Sequence, residues 1–180
     1  MELAATPDAS PGLANRYLKV NHAGEHGAIC IYTAQIHVAR ITAPSLVAEL
    51  VDFRSHELRH RSIFLAELER RNRPRCRSYW LCGVGGYSLG LITAICGRSA
   101  IAATTAAVEK VVLRYLQQQL VALGAGDPQA TAEISAIVAD EQHHHDRSEA
   151  LAKTGWFWPK VISPVVAAST EFVIWTGMRL

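Results

Sequence analysis

The 180-residue chain has little that would build a β protein. Alternating polar–apolar runs are scarce, and no hairpin turn signature joins two of them. Its four cysteines, Cys30, Cys76, Cys82 and Cys96, form no Cys-x-x-Cys pair, so the common zinc and thiol-redox motifs are excluded. Reduced, mostly buried thiols are the simplest account of them. Charge of one sign is lacking too: 18 Lys and Arg against 16 Asp and Glu leave a formal net charge of +2. That balance argues against a general nucleic-acid binder. Residues 1–12 carry two prolines and two acids but no basic apolar leader, so no secretory or transit peptide is expected. Residues 1–14 read as a flexible tail, and 15–180 as one domain long enough for a sizeable core.

What the sequence does have is helical spacing. Leu18, His22, Glu25, Ile29 and Tyr32 follow the helical period in a helix predicted from Asn15 to about Arg40, which Pro44 stops. Ser45 is a candidate cap for a second helix, from Leu46 to about Arg71, ended by Asn72-Arg73-Pro74. Further helices are predicted over Tyr79–Ile95, Ala100–Leu123 and Pro128–Lys153, separated by Gly97 and by Gly124-Ala125-Gly126-Asp127-Pro128. Trp156-Phe157-Trp158-Pro159 reads as a break before an apolar helix running to about Met178. The expected class is all-α.

Two segments are notably apolar. No residue from Ser78 to Gly97 is charged, and Gly83, Gly85, Gly86 and Gly90 fall within that stretch. Its 20 residues reach the length of a membrane span. Small residues equally suit a helix packed closely across a bundle. Trp156, Phe157, Trp158, Phe172 and Trp175 are candidate interface anchors, and together the two segments favour peripheral or monotopic membrane attachment over spanning. Arg54, Arg59, Arg61, Arg70, Arg71, Arg73, Arg75 and Arg77 crowd one region. They make either a solvated face or a patch for anionic headgroups or a phosphate-bearing reductant.

The pattern that carries chemistry is a duplicated carboxylate–histidine frame. Glu25 precedes by 32 residues the Glu of Glu57-Leu58-Arg59-His60, and Glu109 precedes by 32 the Glu of Glu141-Gln142-His143-His144. The copies are offset by 84 residues and share few identities beyond the frame. Residues three apart share a helix face, so each Glu-x-x-His presents an oxygen and a nitrogen to one point. One Glu from each of two helices and a Glu-x-x-His from each of two more is what a two-metal site in a four-helix bundle requires. Composition alone predicts about half of one Glu-x-x-His match, and a lone match is usually a solvated pair. Two matches with the same upstream Glu are not. Four carboxylates and two imidazoles suit iron or manganese better than structural zinc. The ligands leave the reaction open, because oxygenases, ferroxidases, peroxidases and catalases share such a set.

Neighbouring residues are candidates for the site's surroundings. His22, three before Glu25, could support the site, meet a substrate or simply pack. Asp140, four before His144, could orient an imidazole or be a solvated acid. Tyr32, two turns from Glu25, and Tyr115, six beyond Glu109, could line the site or belong to the plain core. His143 and His145 are expected to point elsewhere.

The block Asn21-His22-Ala23-Gly24-Glu25-His26-Gly27-Ala28, followed by Ile31-Tyr32 and Gln35, resembles the opening signature of the demethoxyubiquinone hydroxylases of ubiquinone biosynthesis. The resemblance continues through Glu57-Leu58-Arg59-His60, Phe64, Arg73-Pro74, Leu89-Gly90, Ala107-Val108-Glu109, Gln119-Leu120 and Asp140-Glu141 to His144-His145-Asp146. It implies a ferritin-like bundle with additional apolar helices, two iron ions held by Glu25, Glu57, His60, Glu109, Glu141 and His144, and membrane association. The implied reaction is hydroxylation of a polyprenyl quinol ring by O2, with NADH as the ultimate electron source. The implied location is the cytoplasmic face of a bacterial inner membrane or the matrix face of the mitochondrial one, alone, as a homodimer or in a biosynthetic complex. Two departures stand out: Lys19 where Arg is common, and Tyr115 where His is usual. The alternative is another ferritin-like protein that oxidises or handles iron.

Overall fold

Residues 11–153 and 157–180 are described by the structure, a computed structural model, and every regular element among them is helical. The helices are α1 (Pro11–Thr42), α2 (Val47–Arg70), α3 (Tyr79–Ile95), α4 (Arg98–Leu123), α5 (Pro128–Ala152) and α6 (Phe157–Gly177), with one 3-10 turn at Pro44–Leu46. With 32 residues, α1 is about 48 Å long at 1.5 Å per residue.

The ends of these helices explain most differences from the predicted spans. α1 begins at Pro11 rather than Asn15, because the missing N–H of proline costs nothing in a first turn. Ala14 is fully buried and α1 takes in residues 11–14 of the expected tail, while residues 1–10 lie outside the described residues. Ser45 does not cap α2: it sits in the 3-10 turn, and Leu46 takes the cap position without a side-chain bond. α4 starts at Arg98, directly after Gly97, whose φ of +89° is a conformation that glycine alone adopts cheaply. Asp127 caps α5 by accepting from the Ala130 amide at 3.0 Å, with Pro128 next in the chain. The break expected over 156–159 is absent from Phe157 onward, since α6 takes Pro159 into its first turn and also accommodates Pro164. Trp156 lies outside the described residues.

α1 packs against α2, and α3 returns onto α1; α4 packs against α5, and α6 returns onto α4. Each copy of the sequence frame is therefore a helical hairpin followed by an apolar helix. The α1–α3 contact is very close. A Cβ on Gly86 would stand 2.3 Å from the Gly27 carbonyl oxygen, and one on Gly90 2.3 Å from that of Ile31. Gly86 and Gly90 of the uncharged stretch thus serve helix packing. Among the described residues, no helix is long and apolar enough to cross a membrane.

α1, α2, α4 and α5 form a ferritin-like four-helix bundle, with α3 and α6 as the additional apolar helices. Its core includes two large apolar clusters. One contains Leu18, Phe64, Leu68, Leu116, Ile134 and Ile137; the other contains Tyr32, Ile36, Leu50, Phe53 and Ile101. On all four bundle helices, the residues of the carboxylate–histidine frame fall between or beside these clusters. Of the four free cysteines, Cys76 and Cys82 are buried, Cys30 is half-buried and Cys96 is exposed.

Candidate metal centre

α1 supplies Glu25, α2 supplies Glu57 and His60, α4 supplies Glu109, and α5 supplies Glu141 and His144. All six residues are at least 95 % buried, a placement that charged groups adopt only when paired or coordinating. They converge as two overlapping groups, each with ligand atoms within 4.8 Å of one another: Glu25, Glu57, His60 and Glu141, and Glu57, Glu109, Glu141 and His144. Glu57 and Glu141 belong to both groups, while one Glu and one His belong to each alone. Such an overlap would suit two ions, with Glu57 and Glu141 common to both.

The closest approaches cross between the copies. His60 Nδ1 lies 2.9 Å from Glu141 Oε1, and His144 Nδ1 lies 3.1 Å from Glu57 Oε1. Despite these distances, all four atoms are buried and none makes a hydrogen bond. Four orphaned ligand atoms facing one another fit metal binding among them, because buried polar atoms otherwise find partners. The donor set of oxygen and imidazole nitrogen suits iron or manganese.

The electrostatics describe the same crowding. Burial and the Glu57 charge push the Glu25 carboxyl well above the usual range; burial and Glu141 do so for Glu109, and burial and Glu57 raise Glu141. Burial also acts to raise Glu57, but the facing His144 and His60 imidazoles prevail and hold it below the usual range. Burial disfavours the His60 cation, yet Glu141 and Glu57 lift its pKa to about 10. Without a cation this crowding favours protons on Glu25, Glu109 and Glu141; two metal ions would offset the negative charge.

A surrounding layer fixes these side chains. Asp140 does orient an imidazole, but that of His60 on α2 rather than His144 on its own helix: Oδ2 lies 3.0 Å from His60 Nε2 and also accepts from Arg59 at 2.8 Å. The corresponding nitrogen of His144 faces His56 Nδ1 at 3.0 Å. His56 was missed by sequence reasoning, although its place four residues before His60 was a usable signal. Tyr32 donates its hydroxyl to Glu109 Oε1 at 2.8 Å. His143 and His145 lie outside the cluster, as expected; His145 meets Asp146 at 3.1 Å.

A cavity of about 400 Å³ opens beside the cluster between α1, α3, α4 and α6, with Glu25, Glu57 and Glu109 on its wall. Its remaining lining is mostly apolar, including Ile31, Leu89, Val112 and Ile174, and Tyr115 belongs to it. Asn21 and Gln119 form a reciprocal amide pair across it, at 2.8 and 3.0 Å, which spacing alone did not reveal. His22 is not brought to the cluster. It is buried against Tyr79 with ring centroids 5.2 Å apart, and burial together with Arg75 and Arg61 lowers its pKa to about 4.

Comparison with known proteins adds a lineage to this geometry. A family model described as ubiquinone biosynthesis protein COQ7 matches residues 13–177. The chain is similar to the 3-demethoxyubiquinol 3-hydroxylase of Rhodospirillum rubrum, 31% identical over 180 residues that cover 96% of this chain and 82% of that protein. It is also similar to the mitochondrial NADPH-dependent 3-demethoxyubiquinone 3-hydroxylase of Dictyostelium discoideum, 33% identical, with 93% and 78% covered. The protein of the same name in Caenorhabditis elegans is 30% identical, with 79% and 78% covered.

Proposed function

The chain belongs to the ubiquinone biosynthesis protein COQ7 family, and on that premise we propose that it hydroxylates the ring of demethoxyubiquinol at a two-iron centre. O2 is the oxidant, and reducing equivalents come ultimately from NADH; the relatives from Dictyostelium and Caenorhabditis carry NADPH in their names. The observation that supports this reading best is the meeting of a buried four-carboxylate, two-histidine cluster with an apolar cavity. A protein that only oxidised aqueous iron would have no use for such a cavity.

Glu25 and His60 would hold one iron, Glu109 and His144 the other, with Glu57 and Glu141 shared. When bound, the irons supply the redox chemistry that activates dioxygen toward an electron-rich ring. The side chains have other tasks. Asp140 and His56 fix the two imidazoles, and Tyr32 fixes Glu109. Leu89, Val112 and Ile174 keep water from the ring, and no side chain serves as nucleophile. Asn21 and Gln119 each spend one amide hydrogen and one lone pair on the other, leaving a second hydrogen for the oxygens of a quinol.

The isoprenoid tail would leave between α3 and α6, whose outer faces expose Trp80, Val84, Ile92, Val165, Phe172 and Trp175. A membrane surface would cover this apolar face and deliver the substrate, with the protein attached without spanning. The site would then face the cytoplasm in a bacterium or the matrix in a mitochondrion.

Quinone profiling by mass spectrometry tests the reading. Cells lacking the protein should accumulate demethoxyubiquinone, the wild-type gene should clear it, and a Glu109→Ala gene should not. Normal ubiquinone in the cells lacking the protein would overturn the assignment and direct attention to iron oxidation.

A further inference from the structure

The 84-residue offset that relates the two ligand frames also relates His56 to Asp140. Each stands four residues before the histidine of its own copy, and each turns to the histidine of the other. The positions are equivalent, but their chemistry is not. Both cluster-facing Nδ1 atoms lack a hydrogen bond, so a ligating role for them leaves each ring proton on Nε2. His60 then donates to a carboxylate oxygen at 3.0 Å, and His144 donates to a neutral imidazole nitrogen at 3.0 Å.

The carboxylates repeat the asymmetry. Glu109 accepts the Tyr32 hydroxyl at 2.8 Å, whereas Leu116, the residue 84 positions beyond Tyr32, has no donor to offer Glu25. An imidazole that donates to a carboxylate becomes the more basic ligand. A carboxylate that accepts a hydroxyl has part of its charge engaged already. Both differences strengthen the Glu25–His60 side and weaken the Glu109–His144 side. Arg59 shares Asp140 Oδ2 at 2.8 Å, but its side chain is 57% exposed and its charge is screened by solvent. The other groups facing His56, Asp52 at 3.7 Å and Asp140 Oδ1 at 3.9 Å, lie beyond hydrogen-bond distance.

We propose that the two metal positions are unequal by construction: the Glu25–His60 position binds a divalent ion more tightly than the Glu109–His144 position, and Asp140 and His56 are the positioning residues that set the difference. The inference rests on the two-metal reading above. It can fail separately from it.

The test is anaerobic calorimetry of the full-length metal-free protein with Co(II), followed in parallel by the Co(II) absorption bands. Wild type should take up two ions in two resolved steps. Glu25→Ala should remove the tighter step and Glu109→Ala the weaker. Asp140→Asn should weaken the tighter step alone, by about 10–100-fold. His56→Asp, which gives His144 a carboxylate like that behind His60, should tighten the weaker step and bring the two together. Helical circular dichroism and melting of each metal-free variant confirm that it is folded. Two equal steps in wild type, or an Asp140→Asn variant that weakens both alike, would overturn the proposal while leaving two-metal binding intact. Fewer than two ions per wild-type chain would overturn both.

Discussion

Tyr32 on α1 donates its hydroxyl to Oε1 of Glu109 on α4, 77 positions away in sequence, with both groups buried and 2.8 Å apart. Two core elements are thereby joined by a polar bond beside the candidate metal centre. Tyr32→Phe keeps the ring that packs on Phe53 and removes only the donor. The cost should be about 1–3 kcal/mol, the penalty of leaving a buried acceptor without its partner. Urea unfolding of the metal-free protein measures it, and unchanged stability would mean that Glu109 finds another donor.

The glycines of α3 make a second, sharper comparison. Gly86→Ala and Gly90→Ala would drive a methyl group into backbone oxygens of α1, which cannot move aside as a flexible side chain could. Each should destabilise by about 1–3 kcal/mol and lower the melting temperature. Gly85→Ala meets nothing within 4 Å, and alanine favours the helix by up to about 1 kcal/mol. It should melt at or above wild type. Equal melting of all three would show that α3 is not held by close approach to α1.

Sequence reasoning reached the bundle and its six inward side chains because both depend on spacing along single helices. The 32-residue interval and the Glu-x-x-His step determine which face a residue occupies, and the structure brings all six to one place. Contacts between copies are another matter. Spacing places Asp140 beside His144 on the same helix, but its partner is His60 across the bundle. The same crossing concealed His56, and the Asn21–Gln119 pair spans 98 positions. Of the alternatives open for His22, packing is the one seen: it follows the helical period with Glu25, yet α3 packs on that part of α1 and buries it against Tyr79. Which helix covers a given face is a tertiary fact that no single-helix period contains.

Arg71 gives a prediction about pH. Its guanidinium bonds Glu67 at 2.5 Å and both oxygens of Asp127 at 2.6 and 2.8 Å, tying the end of α2 to the cap of α5. Arg70, and then Arg71, hold the Glu67 carboxyl below its ordinary range; Arg71 does the same for Asp127. Because the folded-state values are depressed, this stability is complete above the unfolded values, which lie near pH 4, and is lost as pH falls through the lower folded ones. Arg71→Leu should cost stability at pH 7 toward the low end of about 3–5 kcal/mol, since Arg70 still pairs with Glu67. It should also flatten the fall of the urea midpoint below about pH 4. Parallel pH profiles for variant and wild type would refute the role given to the network.

The overlap of the two ligand groups makes the last prediction one of stoichiometry. Glu57 and Glu141 each belong to both groups, whereas Glu25 and Glu109 each belong to one. Loss of a carboxylate that serves a single position should leave the other position with its full set. Loss of a shared one should deprive both, and should also leave a histidine nitrogen facing empty space: His144 Nδ1 after Glu57→Ala, His60 Nδ1 after Glu141→Ala. Iron analysis of protein reconstituted without oxygen should therefore find about two ions per chain in wild type, about one in Glu25→Ala or Glu109→Ala, and nearly none in Glu57→Ala or Glu141→Ala. Retention of one firmly held ion by both shared-carboxylate variants would mean that each of those carboxylates serves a single metal.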